Sequence, residues 1–319
     1  MGALDQQITS LNTGSFLIPE LWEKELLFNN KPSYIFMQFA TDATTANAST
    51  VKWAVVGDFS DGNSSGTIHE GTTIPNGTIT ITQITANPVE YGGAINWSRK
   101  EADMSFTDIK NNVVFKSLVK DYETKFDRVA YDALKTGTTV VNGGTWASGD
   151  AGIGTVWAGT LGNNDFLLTA AKLSDAVAIL ETQNAPKING MYIGVFHPLQ
   201  IRALKNDGTF IAAKEYAQPE NLLNGEAGEY DMVKLLTTTA IPAVSLPFGT
   251  SGTISVREGI VMGAEALGKG FAIPVELHPY DDVNNDAGRT KALKWYANGL
   301  VKNLKPQNVV RVRTTSATV

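Results

Sequence analysis

Between Ser105 and Thr136 the chain runs SFTDIKNNVVFKSLVKDYETKFDRVAYDALKT without a glycine or a proline. Phe115, Leu118, Tyr122, Phe126, Val129 and Ala133 recur three or four residues apart, the repeat that gathers side chains on one face of an α-helix. The spacing predicts a single helix over 105–136, opened by Ser105 with Asp108 three residues on and stopped by Gly137. At 1.5 Å per residue such a rod is about 45 Å long, longer than a small domain is wide. The rest of the chain must be organised along it, and a compact enzyme seldom needs one.

Upstream, residues 17–40 hold a short helical run from Pro19 to about Phe28, ended before Pro32 and followed by an aromatic tail of Tyr34, Phe36 and Phe39. With Trp22 and Phe28 this makes an apolar N-terminal arm over residues 1–49, which packs either on its own core or across a neighbouring subunit. Val51, Trp53 and Val55 then alternate with polar or small residues, and Thr78-Ile79-Thr80-Ile81-Thr82 does the same, the period of two strands. The connection between them, DFSDGNSSGTIHEGTTIPN, lies between Gly57 and Gly77 and carries Asp58, Asp61, His69 and Glu70. A connection of about 20 residues without core-forming side chains is uncommon inside a compact domain. It reads as a projecting hairpin ordered by a neighbour, the alternative being a loose surface loop. Tyr91 to Trp97 reads as a strand leading back to the long helix.

Downstream, the Gly-, Ala-, Ser- and Thr-rich stretch Val140 to Gly162 reads as a boundary. Asn164 is expected to cap a helix over about Asp165 to Gln183, with Leu168, Leu173, Val177 and Leu180 on its buried face. Met191 to Phe196 reads as a buried strand, His197-Pro198 as the opening of a short helix to Asn206, and Met232–Thr238 and Val256–Met262 as further strands. The closing runs TKALKWYANGL and NVVRVRTT are strands that must pair somewhere, and the early body that holds the long helix is the expected place, which makes 164–270 an insertion in a discontinuous domain. The class is α+β.

Chemistry is mostly excluded by inventory. The 319 residues are 43% hydrophobic, enough for a large core, and contain no cysteine, so disulfides, thiolate metal sites and cysteine nucleophiles are ruled out. A net charge of -6 opposes bulk attraction to nucleic acid. His69, His197 and His278 are isolated from one another, without the short-spaced pairs of a zinc site. Gly263 to Gly270, GAEALGKG, has the glycines and Lys269 of a phosphate loop, but Gly270 replaces the magnesium-binding hydroxyl and Phe271-Ala272-Ile273-Pro274 cannot open the required helix. Asp282, Asn284 and Asp286 fall at calcium-loop spacing, but Ala287 takes the turn-glycine position and Leu293 the bidentate carboxylate position. They are a candidate surface cation turn and read better as solvated. There is no G-x-S-x-G elbow. No cofactor and no enzymatic activity is expected. The N-terminus lacks a signal-peptide pattern and no run of 18 apolar residues occurs, so a cytoplasmic product with no membrane contact is expected.

The order of parts, together with particular words, resembles a known family. Residues 67–72 (TIHEGT), 87–92 (NPVEYG), 196–204 (FHPLQIRAL), 216–228 (YAQPENLLNGEAG) and 294–300 (KWYANGL) are similar to the major capsid proteins of tailed bacteriophages, of the Hong-Kong-97-like fold, and among them to the N-four-type coat family. The similarity runs over nearly the whole chain from about residue 17. It implies a spine helix at 105–136 in a peripheral domain of residues 98–149 and 273–319, an extended loop at 50–97, and an inserted axial domain at 150–272. It also implies self-assembly into hexamers and pentamers of an icosahedral head shell around DNA that is contacted weakly, in the virion, after assembly in the host cytoplasm. Trp22, Phe28, Tyr34, Phe36, Phe39, Asp58, Asp61, His69 and Glu70 become the expected subunit contacts. Portal, separate scaffolding and decoration proteins are the implied partners, the scaffold being separate because the chain begins almost at its arm. Some relatives join subunits through a lysine in the extended loop. Gly57 to Gly93 contains none, so that cross-link is expected to be absent. The competing readings are an encapsulin-like compartment and, from another class, a hydrolase or carbohydrate-binding module using the Asp281 to Asp286 turn.

Overall fold

A computed structural model describes residues 35–43, 49–57, 70–71, 79–105, 108–142, 166–217, 228–248, 252–281 and 287–315. In chain order the strands are β1 (Thr41–Asp42), β2 (Val51–Val56), β3 (Ile81–Ala86), β4 (Val89–Ser98), β5 (Thr139–Asn142), β6 (Tyr192–Phe196), β7 (Glu229–Tyr230), β8 (Val233–Thr237), β9 (Ala243–Phe248), β10 (Gly252–Met262), β11 (Leu267–Asp281), β12 (Thr290–Asn303) and β13 (Val309–Thr315). The α-helices are α1 (Arg99–Met104), α2 (Lys116–Leu134), α3 (Ala170–Thr182), α4 (Pro198–Lys205) and α5 (Gly208–Ala217).

The long helix is present but is not one element from Ser105. Ser98 opens α1 with a reciprocal cap: its Oγ accepts from Glu101 N at 3.1 Å and its own N–H donates to Glu101 Oε2 at 2.8 Å. Ser105 ends α1 in an extended conformation. Asp108 caps a π-helical turn, Ile109–Phe115, that runs directly into α2. The buried face holds Val114, Leu118, Phe126, Ala130, Tyr131 and Leu134, while Phe115, one residue round from Val114, is 44% exposed. The wider π turn rotates the periodic face by one position, which a fixed 3.6 repeat cannot anticipate.

Among the described residues the strands form three sheets. One has the order β1-β11-β12-β4, a second β5-β13-β10-β6-β8-β7 with β9 also on β10, and β2 and β3 form the third alone. Alternation along the strands of the second sheet sorts its side chains into two cores. Ile193, Val195, Ile260, Met262 and Val309 join the cluster built on the spine, together with Trp97, Leu293, Trp295 and Ala297 of the first sheet. Tyr192, Phe196, Val261, Val310 and Val312 join Leu173, Val177 and Leu180 of α3 and Ile201 and Leu204 of α4 in the other. The spine is therefore the layer shared by both large sheets.

Several expected boundaries move. α3 begins at Ala170, and its first N–H is satisfied by Asp207 Oδ2 at 2.7 Å; Asn164 lies outside the described residues. The return strand of the hairpin is 81–86 instead of 78–82, because pairing runs Val51↔Ala86 to Val56↔Ile81. The boundary expected at 272–273 falls inside the continuous strand β11. Of the two closing strands, β12 pairs with β4 as anticipated. β13 pairs with β5 of the early body on one side, as anticipated, and with β10 of the insertion on the other, so the last strand joins the two.

Candidate assembly interface

The β2–β3 hairpin touches the body sparingly. A cavity of about 320 Å³ lies between its base, at Trp53, Ala54 and Val55, and the body at Thr41, Glu265 and Leu304. Thr50 Oγ1 donates to Asn87 Oδ1 at 3.2 Å and ties the entry of the hairpin to its exit. Val56, which also lines that cavity, and Ile81 are opposite one another and 63% and 61% exposed. Ile79 and Val89 are also exposed by more than half. Single exposed aliphatics need no explanation, but a cross-strand pair with neighbours forms a patch.

Charge is sorted along the chain. Residues 1–98 contain three Lys or Arg against nine Asp or Glu, a net of -6, and no basic residue occurs between Lys52 and Arg99. Residues 99–135 and 269–319, which supply the spine and the first large sheet, contain sixteen against eleven, a net of +5. Arm and hairpin are acidic where the spine and first large sheet are basic; the remaining residues, 136–268, contain seven against twelve, a net of -5.

The arm meets the body at the 3-10 turn Phe36–Phe39. Phe36 is fully buried, 5.4 Å ring to ring from Tyr131, so this expected contact residue is spent inside its own subunit. Phe39 is partly buried against the same core. Asp127 of the spine accepts Ile35 N–H at 3.0 Å and Phe36 N–H at 2.7 Å on Oδ1. Burial raises its carboxyl above the ordinary range, against the downward pull of those N–H groups. Glu70 lies exposed in a turn of the hairpin. Trp22, Phe28, Tyr34, Asp58, Asp61 and His69 lie outside the described residues, as do Asp282, Asn284 and Asp286.

The other singled-out motifs resolve into structure. His197 caps α4, its Nδ1 accepting Leu199 N–H at 3.2 Å, and burial followed by the charge of Arg257 lowers its pKa. His278 is exposed, with Nε2 3.1 Å from Glu276 Oε2. Gly263 to Gly270 forms a tight turn at Ala264-Glu265 and then enters β11, with no helix to receive a phosphate. Among the described residues no group of three or more His, Asp or Glu side chains is set to hold a metal. None of the described helices is long and apolar enough to cross a membrane.

The same architecture recurs in solved phage shells. The chain is similar to the capsid structure of cyanophage P-SCSP1u, with a TM-score of 0.71 and 13% identity over 96% of each chain. It is similar to the acid-stable capsid of Helicobacter pylori bacteriophage KHP30, with a TM-score of 0.70 and 13% identity over 98% of this chain and all of the other (100%). Cyanophage Pam1 gives 0.68 and 13%, over 99% and 100%. At that identity the likeness establishes the Hong-Kong-97-like capsid fold. No curated protein matches the chain. The profile of the family described as phage capsid protein matches residues 81–312, from the return strand of the hairpin into β13. The chain therefore belongs to the phage capsid protein family, as a major capsid protein that forms the head shell.

Proposed function

We propose that this subunit builds closed hexamers and pentamers by laying its arm and hairpin on neighbouring copies, and that an icosahedral shell around DNA results. The supporting observation is the coincidence of an exposed aliphatic pair, Val56 and Ile81, with a hairpin whose charges beyond Lys52 are all acidic, beside a basic spine and first sheet. Head-to-tail contacts of this kind close into rings when the rotation is right. Asp58, Asp61, His69 and Glu70 are the polar contacts of the hairpin, and Trp22, Phe28, Tyr34 and Phe39 the apolar contacts of the arm. The axial unit extends over 150–272 and, given the pairing of β13, includes the last strand; the spine with β4 and β12 is the peripheral unit. The N-four-type kinship rests on the sequence words around residues 67–72, 196–204 and 294–300. Portal, scaffolding and decoration proteins are the outside partners, and no catalytic role is assigned.

Negative-stain microscopy and sedimentation of the purified protein test this reading. Uniform closed particles or hexamer sheets are expected. A lone, fully ordered species of about the chain's 34.2 kDa at high concentration would falsify it.

A further inference from the structure

Residues 35–43 are crossed on the way from arm to hairpin, and three separate ties hold them. Asp127 takes the N–H groups of Ile35 and Phe36. Lys269 Nζ donates to Met37 O at 3.3 Å and lies 3.4 Å from Asp42 Oδ1. β1 runs parallel to β11, Thr41 beside Gly268 and Asp42 beside Lys269, and Ala43 N–H donates to Lys269 O at 2.8 Å.

The first tie is the unexpected one. Asp127 is 2% exposed on the face that carries Phe126, Ala130, Tyr131 and Leu134, and among the described residues no cation pairs with it. Its Oδ2 is buried with no hydrogen-bond partner among the described residues. A buried carboxylate is costly, and at a position that only packed, an apolar side chain would serve better. The 3-10 turn it serves has no capping side chain of its own. The carboxylate supplies from the spine the acceptor that the turn lacks.

We propose that Asp127 is a latch that fixes where both extensions leave the subunit. It holds the arm root on one turn of the spine, and through β1 the base of the hairpin takes its position from the same anchor. The latch rests on the reading that arm and hairpin reach neighbouring copies, and two measurements keep the ideas apart. In unassembled full-length protein, Asp127→Ala raises amide exchange at Ile35–Met37 about tenfold or more, with Ala130–Leu134 unchanged. Asp127→Asn keeps an acceptor in place of Oδ1 and stays near the native rate. On assembly, Asp127→Ala gives particles of mixed size and Asp127→Asn uniform ones. Native exchange in Asp127→Ala overturns the latch, and so does raised exchange with shells as uniform as native. The extension reading is probed separately by Trp22→Ser with Phe28→Ser, which leaves the latch intact: normal shells from that variant count against the arm contact, whatever the exchange data give.

Discussion

Glu258 on β10 faces Arg313 directly across the ladder to β13, and Arg313 Nε donates to Glu258 Oε1 with both residues buried. Lys135 and Arg311 each lie 3.8 Å from the other carboxylate oxygen, and Tyr131 donates to the Glu258 carbonyl at 3.1 Å. One anion thus stands among three cations where the end of the spine meets the sheet that β13 completes. Removing one partner of a buried ion pair is far costlier than the pair is worth, because the other charge is left uncompensated.

Glu258→Gln should therefore cost the subunit about 3–5 kcal/mol, since it removes the carboxylate that all three cations face. Arg313→Met should cost less, because Arg311 and Lys135 still face the carboxylate. Urea unfolding of the unassembled subunit compares them. Equal losses, or a Glu258→Gln loss below about 1 kcal/mol, would mean that solvent already screens the cluster.

Gly93 sits where β4 passes under the spine. A Cβ there would lie 2.6 Å from Trp295 Nε1 and 2.9 Å from Asp121 Oδ2, the two atoms joined by a hydrogen bond of 3.1 Å. Gly93→Ala should force that bond apart and cost about 1–3 kcal/mol, as overpacking does. Unchanged stability together with unchanged tryptophan emission would show that the indole has room to move.

Much of this was legible in the sequence because it is local. The spine periodicity, the alternation of β2, the His197-Pro198 opening of α4 and the strand at 192–196 each depend on residues a few places apart. The cap of α1 was legible too: Ser98 and Glu101 carry the serine-to-glutamate spacing, but the eye settles on Ser105 because the long periodic run starts there. What could not be read is set by distant partners. Asp127 lies 91 residues from Phe36, and Asp207 37 from Ala170, whose N–H it caps. The placement of β13 depends on β10 and β5 offering edges, and a run such as NVVRVRTT names no partner. Phe36 looks like its aromatic neighbours in an arm. Only the docking of its turn on Tyr131 makes it core.

His197 gives a pH dependence with a definite sign. Its Nδ1 must be unprotonated to accept the Leu199 N–H, and burial disfavours the imidazolium, so its folded pKa lies below the ordinary 6.5. Below that value the unfolded chain binds the proton more readily than the folded one, so this contribution is intact at neutral pH and is lost as pH falls from 6.5 through the folded value. Protection factors of the α4 amides, which divide out the pH dependence of intrinsic exchange, should fall over that window in the native protein. His197→Asn, which caps without titrating there, should show a flat profile of protection. The same loss of protection in both would assign the acid sensitivity to another group.

The hairpin joins an apolar pair to an acidic edge, and salt separates their contributions to assembly. Coulomb attraction between an acidic extension and the basic spine and first sheet weakens as the Debye length shrinks from about 10 Å at 0.1 M to about 3 Å at 1 M, whereas burial of Val56 and Ile81 does not. Light scattering should show slower shell formation in 1 M than in 0.1 M sodium chloride, and Asp58→Asn with Asp61→Asn and Glu70→Gln should remove most of that salt dependence. Val56→Thr with Ile81→Thr should leave the salt dependence in place but lower the final yield, while the unassembled subunit keeps its stability to within about 0.5 kcal/mol because both side chains are exposed there. If the threonine pair instead destabilises the lone subunit and assembles to full yield, these aliphatics serve the hairpin's own fold. If the neutralised variant keeps the native salt response, the steering comes from other acids, and the arm, with Glu20, Glu23 and Glu25 around Lys24, is the next segment to neutralise.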